Sequence, residues 1–440
     1  MTHKAPAGRT LAVDGLARVE GEGALYVETD GDDVLDVQLR IYEAPRFFEA
    51  FLRGRAYTEP PDITARVCGI CPVAYQMSAC AAIEDACGVS VDGPLADLRR
   101  LLYCGEWIES HTLHIYLLHT PDFLGYPGAV ELARDARDVV EKGLELKKIG
   151  NDVVERIGGR AVHPVNVKVG GFYRTPTKRE MRAMRDPLLR ARDLALETVR
   201  LVGTFEFPEL EHEHPYVALR SDDEYAVIGG RLVSSTGIDA SVAEFADHVV
   251  EEQVPHSTAL HAHLRDGDHY LVGPLARFEL GGDLLCDAAR DAAANAGVEP
   301  GCRNPYESIV VRAAEVVHAC ETAVALVEDY EEPDRPAVDV APRAGVGHGA
   351  TEAPRGLLYH RYELDDDGTI LDATMVPPTA QNQPSIEHDL FHVVEANIGM
   401  ADEELVLLCE QTIRNYDPCI SCSTHFLDMT VVDRAKGSRR

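Results

Sequence analysis

The chain contains 440 residues, and its 42 basic and 74 acidic side chains give a formal net charge of −32 at pH 7. Because nucleic acids and anionic membranes attract cationic proteins, this charge argues against either of them as the main partner. The 11 cysteines are odd in number and scattered along the chain, which excludes a disulfide framework and favours a reducing compartment such as the cytoplasm. No apolar stretch is long enough to predict a membrane span.

Strand patterns come first along the chain and helical patterns then dominate. Two alternating runs, residues 24–28 and 34–39, flank a turn rich in aspartate and glycine, as in a β-hairpin. Apolar residues at three- and four-residue spacings predict helices at 94–119, 130–157, 178–201, 242–264, 284–296 and 305–330. A second extended region at 357–376 precedes two late helices at about 386–398 and 402–414. These patterns predict an α+β fold dominated by a central bundle of long helices, with smaller sheets near the N-terminus and in the C-terminal half.

Two Cys-x-x-Cys pairs are the most informative feature of the sequence. Cys68 and Cys71 lie near its start, and Cys419 and Cys422 lie near its end. Two thiolates at this spacing can bind one metal ion, so the two pairs together offer four sulfur ligands. Pro72 is typical of a first helical position, which would place Cys71 at the positive end of a helix, where the thiolate is favoured over the thiol.

The cysteine pairs alone leave several interpretations open. A redox-active dithiol needs only one pair, whereas a structural zinc site would use both. Zinc ribbons usually bring their pairs within tens of residues, and closing a loop of nearly the whole chain is expensive in entropy for a structural site. The other seven cysteines mostly lie in helical patterns and are expected to be small buried residues.

Further motifs accompany the two pairs and identify a family. They are Arg18-Val19-Glu20-Gly21, the segment 45–55, the helix segment 106–114, and Glu352-Ala353-Pro354-Arg355-Gly356 followed by Pro378-Thr379. With the cysteines, these motifs make residues 16–425 resemble the large, catalytic subunit of nickel–iron hydrogenases. Segments 45–50 and 416–423 are similar to the cytoplasmic, bidirectional branch that couples hydrogen to NAD(P), also called sulfhydrogenases. The resemblance implies the large-subunit fold and reversible cleavage of H2.

The resemblance also implies how the cysteines bind metal. Cys68 and Cys419 are expected as terminal ligands of nickel, and Cys71 and Cys422 are expected to bridge nickel to an iron that carries cyanide and carbon monoxide. Four thiolates make an electron-rich site that suits nickel and can share sulfur with a second metal.

A second metal ion is implied near this centre. The resemblance assigns Glu49, the carbonyl of Thr374 and His425 to magnesium or a similar divalent ion. A carboxylate and a carbonyl are ordinary ligands for such an ion, whereas the imidazole is assigned only by the resemblance.

Four further residues take roles from the resemblance. Glu20 matches the glutamate that relays protons, although its pattern alone also suits a surface strand. Arg355 matches an arginine held above the metals, where a guanidinium can contact the diatomic ligands of the iron. Asp122 matches a carboxylate expected to orient Arg355. Thr379 is expected to line the cofactor site.

The sequence departs from the family pattern at two positions. Tyr75 and Glu22 each replace a histidine that is common in the family, and neither replacement removes a metal ligand. His111 and His114 lie three residues apart on one helix face, where a metal site is conceivable. We interpret them as buried hydrogen-bonding or interface residues.

The expected partners follow from what the chain lacks. It has no ferredoxin-type cysteine cluster and no Gly-x-Gly-x-x-Gly fingerprint, so iron–sulfur clusters are assigned to a small subunit, and flavin and nicotinamide binding to a further module. In the family, nickel-insertion proteins load the metal and a protease then removes the C-terminal extension. We therefore expect residues 1–425 to form one compact domain and residues 426–440 to be removed. A non-catalytic scaffold related to respiratory complex I is the competing interpretation, but that relative lacks the four cysteines.

Overall fold

The computed structural model describes residues 9–211 and 213–424. Its strands are β1 (Arg9–Val13), β2 (Gly23–Asp30), β3 (Asp33–Ile41), β4 (Val167–Lys168), β5 (Gly171–Phe172), β6 (Val217–Arg220), β7 (Arg231–Ser234), β8 (Asp239–Ala240), β9 (Val249–Gln253), β10 (Leu260–Leu264), β11 (Gly345–Ala353), β12 (Gly356–Leu364) and β13 (Ile370–Val376). Its α-helices are α1 (Phe48–Leu52), α2 (Pro60–Thr64), α3 (Pro72–Cys87), α4 (Pro94–Leu113), α5 (Thr120–Phe123), α6 (Ala129–Asp135), α7 (Arg137–Gly158), α8 (Lys178–Arg182), α9 (Arg185–Val202), α10 (Phe245–His248), α11 (Pro274–Gly281), α12 (Asp287–Asn295), α13 (Ser308–Glu328), α14 (Pro378–Ala396), α15 (Asp402–Asn415) and α16 (Ile420–Ser423).

The N-terminal sheet is an antiparallel meander in the order β1-β2-β3. Its alternating pattern buries every second side chain, among them Leu25, Val27 and Leu39, as half-buried antiparallel strands require. The predicted hairpin at 24–39 is therefore confirmed, with each strand slightly longer than the pattern indicated.

Four long helices, α4, α7, α9 and α13, pack on one another as the central bundle. Helices α4 and α13 are buried on nearly all sides, as expected of helices at the centre of a large protein. The predicted helices 130–157 and 178–201 are each divided in two, at Ala136 and near Ala183. Within residues 9–211 and 213–424, no helix combines the length and apolar character needed to cross a bilayer.

One predicted helix, at 242–264, is wrong. After a short helical segment, this region forms the antiparallel hairpin of β9 and β10. The sequence Val249-Val250 has the β-branched residues typical of strands, and Pro255 lacks the N–H that a continuing helix needs. Apolar spacing alone did not separate these alternatives.

The C-terminal sheet is also antiparallel, in the order β11-β12-β13, and it packs against α3. Strand β11 was not predicted because its glycines have no side chains that form a pattern. Those glycines let the helix approach closely: a Cβ at Gly347 would lie 2.0 Å from the carbonyl oxygen of Ala82. This packing brings Cys71 and Arg355 toward each other, since α3 begins after Cys71 and the β11–β12 turn carries Arg355.

Gly347→Ala is expected to destabilise the protein because helix and sheet would have to separate. Overpacking of this kind lowers the free energy of unfolding by about 1–3 kcal/mol, which chemical denaturation monitored by circular dichroism would measure. Gly15→Ala is the matched control, because a Cβ there meets no atom within 4 Å. Equal denaturation curves for the two variants would contradict the close approach.

Candidate metal centre

The four thiols of the two Cys-x-x-Cys pairs meet in one buried cluster. The Sγ–Sγ distances are 3.4 Å for Cys68 and Cys419, 3.6 Å for Cys71 and Cys422, and 2.7 Å for Cys419 and Cys422. All four sulfur atoms lie within 4.8 Å of one another, and each cysteine is at most 3% exposed. A disulfide would be about 2.05 Å long, and these thiols are free. The cluster therefore has the sulfur donor set and the proximity to bind metal.

The first pair is positioned by the start of α3. Pro72 is the first helical residue, so Cys71 lies at the helix N-terminus as predicted. The N–H groups of Ile70 and Cys71 point at the sulfur of Cys68, at 3.3 and 3.4 Å. The buried carboxylate of Glu106, from α4, accepts from Val73 N at 2.6 Å and satisfies this helix end.

In the second pair, Cys419 directly precedes the short helix α16 and Cys422 lies within it, and both are held by neighbours far away in sequence. The N–H of Cys419 donates to Oγ1 of Thr379 at 2.9 Å, and the N–H of Ile420 donates to the carbonyl of Glu20 at 3.0 Å. Thr379 thus lies beside a cluster cysteine, although its observed partner is backbone.

Arg46 joins the two cysteine segments. Its Nη2 donates to the carbonyl of Val67 at 2.7 Å and to the carbonyl of Ser421, and its backbone N–H donates to the carbonyl of Thr424 at 2.7 Å. One side chain therefore bonds the residue before Cys68 and a residue between the other two cysteines. Arg46 lies in the family segment 45–55, but no role for it was predictable from the sequence.

Burial and mutual contact control the charge of the thiols. Desolvation raises the pKa of Cys419 and of Cys422 well above the usual value, whereas hydrogen bonding from Cys419 lowers the pKa of Cys68. Several thiolates at these distances repel one another unless a cation lies between them. The chemistry of this donor set thus fits a bound metal centre.

Glu20 touches the cluster. Its Oε2 lies 3.1 Å from the sulfur of Cys419 and 3.1 Å from the N–H of Ser421. The next residue, Gly21, has φ +90, and a Cβ there would lie 2.6 Å from the Cβ of Ile420. Only glycine lets the two chain segments pass this closely, so Gly21 brings the carboxylate of Glu20 to the thiol.

Arg355 is buried beside the cluster and is held by Asp417. Its Nε donates to the carbonyl of Asp417 at 2.7 Å, and its Nη2 donates to Oδ1 at 3.1 Å. Burial alone would lower the pKa of Arg355, but the negative charges of Asp417, Cys419 and Cys71 raise it well above its usual range. The guanidinium is therefore a fixed cation facing the thiolates.

Asp122 does not pair with Arg355, contrary to what the resemblance implied. Among the described residues, its carboxylate accepts from Arg414 at 2.7 and 3.0 Å and from Arg18. It thus ties the segment before Glu20 to the end of α15. Asp417 lies two residues before Cys419, in the family segment 416–423, and takes the role expected of Asp122.

The turn that carries Arg355 is held by the buried ion pair of Arg277 and Glu315, which was not predicted from the sequence. Arg277 donates to Glu315 through two bonds of 2.8 Å and to the carbonyls of Ala353 and Pro354 at 2.9 and 3.0 Å. A bidentate pair of this kind fixes the orientation of the Arg277 guanidinium, and with it the position of the turn. Glu315 lies in the predicted helix 305–330, whose pattern indicated only core, and Arg277 lies outside every predicted element, so no local signal marked the pair.

Asp417→Asn is expected to destabilise the protein because it leaves the charge of Arg355 uncompensated. Breaking one partner of a buried ion pair costs about 3–5 kcal/mol, and we expect the lower end because the amide oxygen still accepts a hydrogen bond. Asp417 has φ +49, a conformation that asparagine also adopts. Chemical denaturation would measure the loss. Asp339→Asn, which removes an exposed pair with Arg335, should change stability by under about 1 kcal/mol; equal losses in both variants would contradict the assignment.

The residues assigned to a second metal ion are only partly described. Oε1 of Glu49 accepts from the N–H of Met375 at 2.8 Å, which brings this carboxylate to the strand position next to Thr374. Burial raises the pKa of Glu49 to about 7. His425 lies outside the described residues.

His111 and His114 are buried in the core, and Tyr75, one of the two residues that depart from the family pattern, lies near the cysteine cluster. The Nε2 of His111 lies 3.0 Å from Glu315, and that of His114 lies 2.7 Å from the carbonyl of Arg414. Both rings are buried; His114 makes a hydrogen bond to the backbone, whereas His111 makes a close contact with the carboxylate of Glu315. Tyr75 places its hydroxyl 3.4 Å from the carbonyl of Cys422, close to the cluster.

Comparison with known proteins decides the family. The model of the family described as nickel-dependent hydrogenase matches residues 46–175 and 308–425, more than half of the chain. The chain belongs to the nickel-dependent hydrogenase family. This hydrogenase chain is 34% identical to sulfhydrogenase 1 subunit alpha of Pyrococcus furiosus, over 94% of this chain and 97% of that protein. It is 28% identical to the NAD-reducing hydrogenase HoxS subunit beta of Cupriavidus necator, over 95% of each chain.

Solved hydrogenases have the same fold as this chain. An NAD+-reducing [NiFe]-hydrogenase in the H2-reduced state superposes with a TM-score of 0.86 at 27% identity, over 96% of this chain and all of that one. A Ni-Fe-Se hydrogenase from Desulfomicrobium baculatum superposes with a TM-score of 0.78 at 21% identity, over 95% of this chain. The predicted family and large-subunit fold are confirmed, and the structural zinc and complex I-like alternatives are removed.

Proposed function

We propose that this chain is the catalytic subunit of a hydrogenase that interconverts H2 with protons and electrons at a nickel–iron centre. The observation that most directly supports this proposal is that four buried thiols, from opposite ends of the chain, lie within 4.8 Å of one another. Cys68, Cys71, Cys419 and Cys422 would hold the centre. When bound, such a centre supplies the open coordination position and the redox capacity that splitting H2 requires.

Infrared spectroscopy with metal analysis tests this proposal. Active enzyme should contain one nickel per copy of this chain, with iron in excess of nickel because the proposed small subunit adds iron–sulfur clusters, and should show absorption bands of iron-bound cyanide and carbon monoxide. Zinc in place of nickel, without those bands, would reject the proposal.

Glu20 and Arg355 support the chemistry from the protein side. The carboxylate of Glu20 is within hydrogen-bonding distance of the sulfur of Cys419, so it can accept a proton from that thiol and return it. Oε2 of Glu43 accepts from the hydroxyl of Ser421 at 2.9 Å, which extends the polar contacts toward the surface. Arg355 supplies a fixed positive charge that can orient anionic ligands of the centre.

A divalent ion such as magnesium is assigned to Glu49, the Thr374 carbonyl and His425. The support is the bond from Glu49 to the residue after Thr374, together with the preference of such ions for oxygen ligands. Glu49→Gln should lower the magnesium content of purified enzyme relative to Glu59→Gln, a change at a glutamate on the surface. Equal magnesium in both variants would contradict the assignment.

We assign electron transfer away from the metal centre to partner subunits. Within residues 9–211 and 213–424, the four cluster cysteines are the only group of three or more cysteines that could share a metal. An iron–sulfur small subunit and a flavin-containing module that binds NAD(P) would complete the proposed cytoplasmic enzyme. The names of two relatives support partner subunits, since each is called a subunit, and one of them is called NAD-reducing. Purification through a tag on this chain should recover such partners and H2-dependent NAD(P) reduction; an active enzyme that contains this chain alone would contradict it.

Maturation is assigned to nickel-insertion proteins and to a protease that removes residues 426–440. The family match ends at residue 425, which supports this boundary. The intact mass of active enzyme should lack the last 15 residues, and a mass that includes them would reject the cleavage.

A further inference from the structure

Three histidines form a second convergent group, separate from the cysteine cluster. They are His214, shortly before β6, His269, shortly before α11, and His388, within α14. One ligand atom of each lies within 4.8 Å of those of the other two. The three residues come from distant parts of the chain, so their proximity does not follow from sequence spacing.

The rings are arranged closely. The ring centroids of His269 and His388 are 4.4 Å apart, and those of His214 and His269 are 5.2 Å apart. His392, one helical turn after His388 on α14, has its ring centroid 4.6 Å from that of His388. A pair of histidines four residues apart on a helix is a spacing that can share one metal ion.

Two observations indicate a ligand rather than packing alone. The Nε2 of His214 lies 2.8 Å from Oδ1 of Asp389, the carboxylate–histidine arrangement with which proteins orient metal-binding imidazoles. The Nε2 of His269 is buried and has no hydrogen-bond partner among residues 9–211 and 213–424. A buried polar atom without a partner is costly, and an ion among the rings would remove that cost.

We propose that His214, His269 and His388 bind a divalent transition-metal ion of the zinc type. Neutral imidazoles suit such ions, and three of them leave a fourth position of a tetrahedral site for water or His392. Hard ions such as magnesium prefer oxygen and are not expected here. The site shares no ligand with the cysteine cluster.

The ion would stabilise the segment that holds Arg355. Asp389, which bonds His214, also accepts from the hydroxyl of Tyr416. Tyr416 precedes Asp417, the partner of Arg355. Metal binding at the histidines would therefore restrain α14 and the chain that leads into the second cysteine pair.

A neighbouring group with similar residue types is less suitable. Oε1 of Glu387 lies 2.8 Å from the Nε2 of His256 and accepts from the N–H of Leu39 at 2.8 Å. Because hydrogen bonds within the protein already use this oxygen, the group formed by Glu387, His256 and His261 has an ordinary structural explanation.

Zinc retention by the holoenzyme tests the site. Enzyme treated with a mild chelator, incubated with a small excess of zinc and desalted should retain one zinc per chain in addition to its nickel and iron. His269→Ala and His388→Ala should each reduce this zinc by about tenfold or more and leave nickel unchanged. His248→Ala, a histidine on α10 outside the group, should retain it. With cobalt instead of zinc, the added absorption should lack thiolate charge-transfer bands, because the ligands are imidazoles.

Three results would overturn the proposal. They are wild-type enzyme that retains no zinc after desalting, zinc that is unaffected by both alanine variants, and zinc that is lost only in His261→Ala. The last result would assign the ion to the neighbouring group.

Discussion

Cys419→Ser is expected to abolish H2-dependent activity and to remove nickel from the purified enzyme. Cys419 lies 3.4 Å from Cys68 and 2.7 Å from Cys422 and also meets Glu20, so it contacts both cysteine pairs and the proposed proton acceptor. Serine preserves the shape but replaces a soft thiolate with a hard, weakly acidic hydroxyl that binds nickel poorly. Loss of a residue that only supports a metal ligand typically costs 10–100-fold, and loss of the ligand itself should exceed about 100-fold. Metal analysis and H2-dependent dye reduction would measure both effects.

Cys409→Ser is the matched control for this prediction. Cys409 is 1% exposed, as is Cys419, and lies ten residues earlier in α15. Its substitution makes the same chemical change in a buried site without touching the cluster. Activity and nickel should both remain, apart from a modest loss of stability. Full turnover by Cys419→Ser, or equal losses in both variants, would refute the ligand assignment.

Glu20→Gln is expected to block proton exchange while the metals remain bound. The amide keeps the size of the side chain and can still bond near Ser421, but it cannot take up a proton from Cys419. A positioned acid or base contributes about 10²–10⁴-fold to a proton transfer, so H/D exchange should fall by about that factor. Exchange between H2 and D2O, followed by mass spectrometry, measures this step separately from electron transfer to NAD(P).

Glu22→Gln is the control for proton transfer. It makes the same change two residues away, at an exposed position, and should leave exchange near the wild-type rate. Nickel and iron must be measured in both variants, since loss of metal would also stop exchange. Native exchange rates in Glu20→Gln with its metals bound would show that Glu20 is not the relay.

The metal-binding cysteines were predictable because their chemistry is concentrated in short motifs. Two thiols three residues apart can share a metal, the accompanying family motifs favoured that interpretation over a redox dithiol, and Pro72 marked a helix start that the structure has. Thr379 was identified as a site residue, but its partner, the N–H of Cys419, could not be inferred, because the two residues lie 40 positions apart in sequence. The expected pairing of Asp122 with Arg355 was wrong for the same reason: a charged side chain does not specify which of several buried cations it meets.

The elements of the fold were predictable where one physical signal dominated. Long amphipathic periods located the bundle helices, and alternation located the N-terminal hairpin. The hairpin at 249–264 was mistaken for a helix because short apolar runs fit either period. Helix α14 begins at Pro378, eight residues before its predicted start near 386, and continues through Pro384. The buried side chains of Gln381 and Asn382 are hydrogen-bonded to distant residues there, so tertiary contacts outweigh the local cost of the proline.

The sequence by itself determined the family and the kind of donor atoms, because both depend on which residues are present in short motifs. Tertiary structure alone decided which groups meet: Asp417 with Arg355, Arg46 between the cysteine segments, and the three histidines around one point. The physical reason is that covalent spacing constrains neighbours in the chain. Contacts between distant residues instead depend on how the whole core packs, which no local pattern encodes.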